Sequence, residues 1–198
     1  MWCRRQKTGV LYDIMKSMND ERLTWKKTSE ELLCHTPVFD VTKQHEVSAT
    51  GIEGDYISVS ARHWIVTIAE HDGKFVLVRQ WRHGQQRITT EFPGGVGEPG
   101  EDPLVSASRE LEEETGYRPG KMTFLGKTSP NPALFSNEVY YYLAEDLVQT
   151  GVQHLDKDEV LEFIELPIKE VIDNYATYEY SHALMGTALS LYMREKMI

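Results

Sequence analysis

Residues 109–117 read RELEEETGY and place Glu110, Glu112, Glu113 and Glu114 within nine positions. Carboxylates this dense repel one another and weaken a helix by roughly a few tenths of a kcal/mol per adjacent-turn pair. A helix is nonetheless expected over 103–115: Asp102 is an N-cap acceptor, Pro103 suits the first helical position, and Gly116 suits the left-handed stop. At ~100° per residue Glu110 and Glu114 lie about 40° apart, with Glu113 flanking them, while Glu112 points away and is expected to be solvated. Leu104, Ala107, Leu111 and Thr115 recur at helical spacing and are expected to face the core. Three carboxylates converging on one strip make an oxygen-rich site suited to a hard divalent cation such as Mg²⁺, which would also remove the repulsion. An acidic run by itself is more often a solvated face, so the surrounding spacing has to decide.

Upstream, Gly95 is followed after five residues by Glu101 and after seven more by Arg109-Glu110-Leu111, then Glu113-Glu114 and Gly116-Tyr117. This arrangement resembles the Nudix box, Gly-x5-Glu-x7-Arg-Glu-aliphatic-x-Glu-Glu-x-Gly-aliphatic, at every fixed position. The one departure is Tyr117, where an aliphatic residue is usual, and that is a packing position. The resemblance implies an α/β/α sandwich and hydrolysis of a nucleoside diphosphate linked to another moiety, with Mg²⁺ or Mn²⁺. By position it implies Glu110 and Glu114 as principal metal ligands, Glu113 as a further one, and the carbonyl of Gly94 as another. Glu101 and Arg109 would be an ion pair that orients the glutamates.

Divalent cations neutralise phosphate oxygens and acidify bound water, and a carboxylate then accepts the water's proton. In the family that base comes either from the helix, here Glu113, or from a later loop. The acidic segment 145–159 supplies Glu159 as the loop candidate, with Asp158 and Asp156 behind it, although loops are commonly polar without being catalytic. Pro132, fifteen residues beyond Tyr117, together with VRQWRHG, EFPGG and SNEVYYYLAEDL, resembles the ADP-ribose pyrophosphatase branch. Arg79 and Arg82 are candidates for phosphate or ribose through forked hydrogen bonds. Glu91 is a candidate for base or ribose, and Trp25 and Trp64 are possible stacking surfaces, though tryptophans more often pack. A nucleoside diphosphate sugar is therefore the expected substrate, with AMP or another nucleoside monophosphate and a sugar phosphate as products. The competing readings are a non-catalytic Nudix-fold ligand sensor, against which the intact glutamates weigh, and an RNA 5′-end pyrophosphohydrolase.

The elements that must position these residues can be read in outline. Strands are expected at VFDVTKQHEV, DYISVS, HWIVTIAEH, KFVLVRQW, ITTEFPGG, KMTFLGK, EVYYYLA and VLEFIELP, and further helices near 167–174 and 181–196. His71-Asp72-Gly73 is a hairpin turn signal. A short helix is expected around 28–34. Strands on both sides of one central helix give an α+β class, a sandwich with a mixed sheet preceded by an N-terminal β-hairpin region. The expected division is residues 1–61, an extension with strands that could form a homodimer, and residues 62–198, the catalytic domain.

The chain has 198 residues and a net charge of −10, without a basic stripe, which disfavours a nucleic-acid partner. The phosphate-loop pattern GxxxxGK[ST] does not occur. No apolar run is long enough to span a bilayer, no signal-type segment opens the sequence, and Cys3 and Cys34 form no framework. A cytoplasmic protein without membrane contact is expected.

Overall fold

The computed structural model describes residues 20–151, 153–155, 157 and 159–197. By its contacts the chain divides into two units, one through Ser60 and one from Ala61.

In the first unit a 3-10 turn at Asp20–Leu23 precedes three strands, β1 (Trp25–His35), β2 (Phe39–Ser48) and β3 (Glu53–Ala61), in the order β1-β2-β3. The helix expected around 28–34 is instead the middle of β1, antiparallel to β2. Register shifts between Lys27 and Ser29 and between Leu32 and Cys34 break the two-residue alternation. TSEELLC therefore carries no strand period, and pairing with β2 overrides the helix preference of its glutamates and leucines.

The second unit is a mixed sheet in the order β11-β5-β4-β9-β8, with β6 also paired to β5. Its strands are β4 (Trp64–His71), β5 (Lys74–Arg82), β6 (Arg87–Glu91), β8 (Lys121–Thr128), β9 (Val139–Glu145) and β11 (Leu161–Pro167). β4 and β9 are parallel, and the hairpin partners are antiparallel. Alternation fills both faces. Val66, Ile68, Phe75, Leu77, Tyr141 and Leu143 face one side, against Val171 of α2 (Ile168–Asn174) and Met185, Ala188, Leu189 and Tyr192 of α3 (Ala183–Lys196). Ile65, Ala69, Val76, Tyr142 and Ala144 face the other, against Ala107 and Leu111 of α1 (Pro103–Thr115). The result is the expected α/β/α sandwich.

The sheet is split where the site forms. β4 pairs with β5 only over 69–71 and 74–76, after which β5 turns to β6. The vacated edge of β4 takes the chain that leaves β6: Thr67 N–H donates to Pro93 O, Ile65 N–H to Gly95 O, and Gly97 N–H to His63 O. Residues 93–97 thus lie along β4 and lead into α1.

α1 has the expected limits. The Asp102 side chain accepts from the Leu104 N–H, and Gly116 takes φ 68 with its N–H on Glu112 O. Its buried face differs in one place: Leu104 is exposed, whereas Ser106 is fully buried. Leu104 sits in the first turn, ahead of the packed stretch, and Ser106 is drawn inward by donating its hydroxyl to Glu101 at 2.5 Å. Two short strands gave no readable period, β7 (Tyr117–Arg118) and β10 (Val148–Gln149), which pair with each other just beyond α1.

Candidate active site

Gly94 and Gly95 lie along β4, where an added Cβ on either would meet a neighbour. A Cβ on Gly94 would collide with the Ile65 carbonyl oxygen, and one on Gly95 would stand 2.5 Å from Glu110 Oε2. The Glu110 carboxylate thus packs directly on the loop backbone. One residue earlier, the Gly94 N–H donates to Glu114 Oε2 at 2.8 Å. Loop and helix are joined through the two glutamates predicted to be principal ligands.

Their electrostatics are unusual for acidic residues. Glu114 is 2% exposed, and among the described residues no lysine, arginine or histidine forms an ion pair with it. Burial, with repulsion from Glu159 and Glu110, pushes its proton affinity well above the usual carboxylate range. Burial also raises Glu110, against the pull of Arg109. Arg109 is shared: its guanidinium lies 2.9 Å from Glu110, 2.9 Å from Glu113 and 3.2 Å from Glu101. Glu101 is held below the ordinary range by Arg109 and the Ser106 hydroxyl. Glu112 does face away, but it is not merely solvated; it pairs with Arg118 at 2.8 Å.

Whether these residues suit a divalent ion can be judged from their chemistry. They offer hard oxygen donors carrying several negative charges, one of them buried with no ion-pair partner among the described residues, as Mg²⁺ or Mn²⁺ prefers. Among the described residues no three His, Cys, Asp or Glu side chains converge as a ready-made cage, and Arg109 pairs with both Glu110 and Glu113. The donor set fits the ion, and a bound ion would compete with Arg109 for two of its carboxylates.

The loop after β10 is tied to the end of α1, where four carbonyls have no partner within the helix. Thr150 donates through N–H and Oγ1 to Gly116 O, His154 N–H to Glu113 O, and Gln153 Nε2 to Glu114 O. These anchors were not foreseen, since isolated polar loop residues carry no spacing signal. The same loop brings in Glu159, whose charge raises both Glu110 and Glu114 and acts on Arg82. Asp156 and Asp158 lie outside the described residues.

Arg82 and Glu91, read separately as substrate contacts, grip each other: Arg82 Nε and Nη2 donate to the two Glu91 oxygens at 2.9 and 2.7 Å. Burial pushes Glu91 upward, but Arg82, His182 and the Thr89 hydroxyl outweigh it and hold the carboxyl below its usual range. The Arg82 side chain remains two-fifths exposed. Arg79 pairs with Glu162 at 2.6 Å and approaches Glu179 at 3.8 Å. Pro132 lies in an exposed turn in which Leu134 and Phe135 N–H groups bond Asn131 O. Phe135 packs on Trp64, whose backbone bridges Val96 of the 93–97 loop. Trp64 is thus a packing residue here, and Trp25 packs edge-on against Tyr56 within the first unit.

The NUDIX domain family model matches residues 60–185. An ADP-ribose pyrophosphatase of Bacillus subtilis is 37% identical over 51% of this chain and 55% of its own length. A methanol dehydrogenase activator of Bacillus methanolicus is 37% identical over 52% of this chain and 56% of its own. The matched region thus spans just over half of each of these two relatives. The ADP compounds hydrolase NudE of Escherichia coli is 28% identical over 66% of this chain and 69% of its own. Among solved structures, the crystal structure of an ADP compounds hydrolase superposes with a TM-score of 0.78 over 87% of this chain and 96% of that one, at 24% identity, a likeness of fold. With the family model covering more than half of the sequence and the Glu110–Glu114 helix set against Gly94 and Gly95, the chain belongs to the NUDIX domain family.

Proposed function

We propose that the protein hydrolyses the pyrophosphate bond of ADP-ribose or a related nucleoside diphosphate sugar, giving AMP or another nucleoside monophosphate and a sugar phosphate. The observation that carries this reading is the buried Glu114, with Glu110 and Glu159 in electrostatic reach and no cation from the described chain in contact with it. Such an arrangement is costly unless a divalent ion completes it. Glu110, Glu113, Glu114 and the Gly94 carbonyl would hold Mg²⁺ or Mn²⁺, which supplies neutralisation of phosphate oxygens and acidification of water.

The chain's own residues do the rest. The Gly94 N–H fixes Glu114, and Arg109, backed by Glu101, orients Glu110 and Glu113. Arg82 presents its exposed edge to the substrate phosphates while Glu91 holds the other edge, and Arg79 adds positive charge along the same strand. Water oxygen attacks one phosphorus, the bond from that phosphorus to the bridging oxygen breaks, and Glu159 takes the water's proton. Glu113, the other candidate base, is held by Arg109 at 2.9 Å. Pro132, in the turn beside Trp64, borders the sugar-bearing side in this reading.

The names of the relatives support the substrate class. Mg²⁺-dependent release of AMP from ADP-ribose, within a panel of GDP-mannose, UDP-glucose, NADH and triphosphorylated RNA, tests it. No turnover of any conjugate with Mg²⁺ or Mn²⁺ would leave ligand sensing as the remaining function. We also propose a homodimer built on the first unit, supported by Leu32, Phe39, Tyr56 and Ile57 exposed on its sheet. A monomeric mass by light scattering at micromolar concentration would exclude it.

A further inference from the structure

His182 opens α3, and the chain leading to it is laid on the outer edge of β6. The Thr90 N–H donates to Glu179 O at 2.8 Å, and Arg87 donates to Ser181 Oγ at 2.6 Å with its guanidinium 5.0 Å from the Tyr178 ring centre. β6 ends in Glu91. The start of α3 and the Arg82–Glu91 pair are therefore parts of one packed unit.

The two ring nitrogens of His182 do different things. Nδ1 accepts the Leu184 N–H at 3.1 Å, capping the helix, so it carries no proton. The proton of the neutral ring then sits on Nε2, which stands 3.6 Å from Glu91 Oε2. That separation is longer than a hydrogen bond but close enough for an N–H dipole to act on a nearly buried carboxylate. Glu91 and Arg82 are the charged groups that face the ring. Burial lowers its proton affinity, Glu91 opposes this, and Arg82 reinforces it, leaving the ring neutral near pH 7. Capping alone does not account for histidine here, because Asn, Asp or Ser caps a helix as well or better.

We propose that His182 is a positioning residue of the active site: its Nε2–H steadies the Glu91 carboxylate and so keeps the Arg82 guanidinium directed at the substrate phosphates. The chain of contact runs from α3 through Glu91 to Arg82. His182 itself touches no reacting atom. The proposal rests on the reading of Arg82 as a phosphate-binding residue.

His182→Asn separates the two roles, since its amide oxygen can still cap α3 while its side chain is too short to reach Glu91. The melting temperature of H182N is expected to stay within about 2 °C of the unaltered protein. Its KM for ADP-ribose is expected to rise roughly three- to tenfold, the scale of one modest polar contact, with kcat within about twofold. His182→Ala, which loses the cap as well, should show the same KM and a lower melting temperature. An unchanged KM in H182N would reduce His182 to a helix cap and overturn the proposal. A second measurement needs no turnover: long-range proton–nitrogen correlation in the full chain should show His182 as the Nε2–H tautomer, and an Nδ1–H tautomer would overturn the proposal directly. Absence of turnover in the unaltered protein would instead count against the hydrolase reading, while an Nδ1–H tautomer would still overturn the role of His182 toward Glu91.

Discussion

The Gly94 N–H and the Glu114 carboxylate meet at 2.8 Å across 20 positions of sequence, and this bond is where the 93–97 loop is fastened to α1. Its donor is neutral, so it steadies the carboxylate without cancelling its charge. Glu114→Gln keeps an oxygen for the Gly94 N–H and removes the buried charge. Metal-free E114Q is expected to be as stable as the unaltered protein or more so, by about 1 kcal/mol. Hydrolysis should fall by at least about 100-fold, since even outer partners of a metal ligand are worth 10- to 100-fold. Paired urea melts and AMP-release assays check both halves; a large loss of stability would show that the charge is not a liability in the metal-free fold.

Metal addition should have the opposite signature. An ion that binds only the folded state stabilises it by about 2.7 kcal/mol at a hundred times its dissociation constant. Thermal melts in Mg²⁺ against EDTA should show this rise for the unaltered protein and little of it for E114Q. Equal shifts in the two would place the ion elsewhere.

Gly95→Ala tests the approach of Glu110 to the loop. The added methyl would stand 2.5 Å from Glu110 Oε2 and displace that carboxylate, which is a flexible side-chain end and can move. The fold should survive, while the Mg²⁺ concentration for half-maximal activity rises about 10- to 100-fold. A metal titration of activity decides; an unchanged midpoint would mean that Glu110 is no ligand.

These contacts also show how far the sequence could be read. The limits of α1 were legible because Asp102-Pro103 and Gly116 are local punctuation, and the convergence of Glu110 and Glu114 followed from helical geometry. β1 was misread because its two bulges erase the alternation that marks a strand. The grip of Arg82 on Glu91 was not visible either: the register sets Arg82 opposite Arg87 and Glu91 opposite Val78, so the two share a face but stand four positions apart along the ladder, and only the reach of their long side chains closes that gap. His182 gave no signal at all. It is an uncommon cap, and its second role depends on where α3 packs.

The Arg82–Glu91 pair carries its own prediction. Glu91 is 5% exposed, so removing its partner leaves a buried charge. Arg82→Ala should cost about 3 kcal/mol of stability. Glu91→Gln added to R82A should recover most of that loss without restoring substrate binding. A double-mutant cycle followed by urea melts and by KM measures the two effects separately. Additive stability losses would show that the pair is not coupled.

Tyr117, the one departure from the box, donates its hydroxyl to Glu165 at 2.5 Å and so ties the end of α1 to β11. Tyr117 is the leading reason why Glu165 is held below the usual carboxylate range, and Tyr117 itself is pushed up to about 12 by burial and by Glu165. A depressed carboxylate contributes stability that is present above its unfolded value of about 4.3 and is lost as pH falls through the folded one. A raised phenol contributes stability that is present below about pH 10 and is lost as pH climbs toward its folded value. Tyr117→Phe should therefore cost about 1 kcal/mol at pH 7. The difference between the two proteins should shrink as pH falls below the ordinary carboxylate range and again above pH ~10, where one partner of the bond has changed protonation. Urea melts of both proteins at acid, neutral and alkaline pH would show it, and a difference that stayed constant across that range would mean the bond contributes only packing.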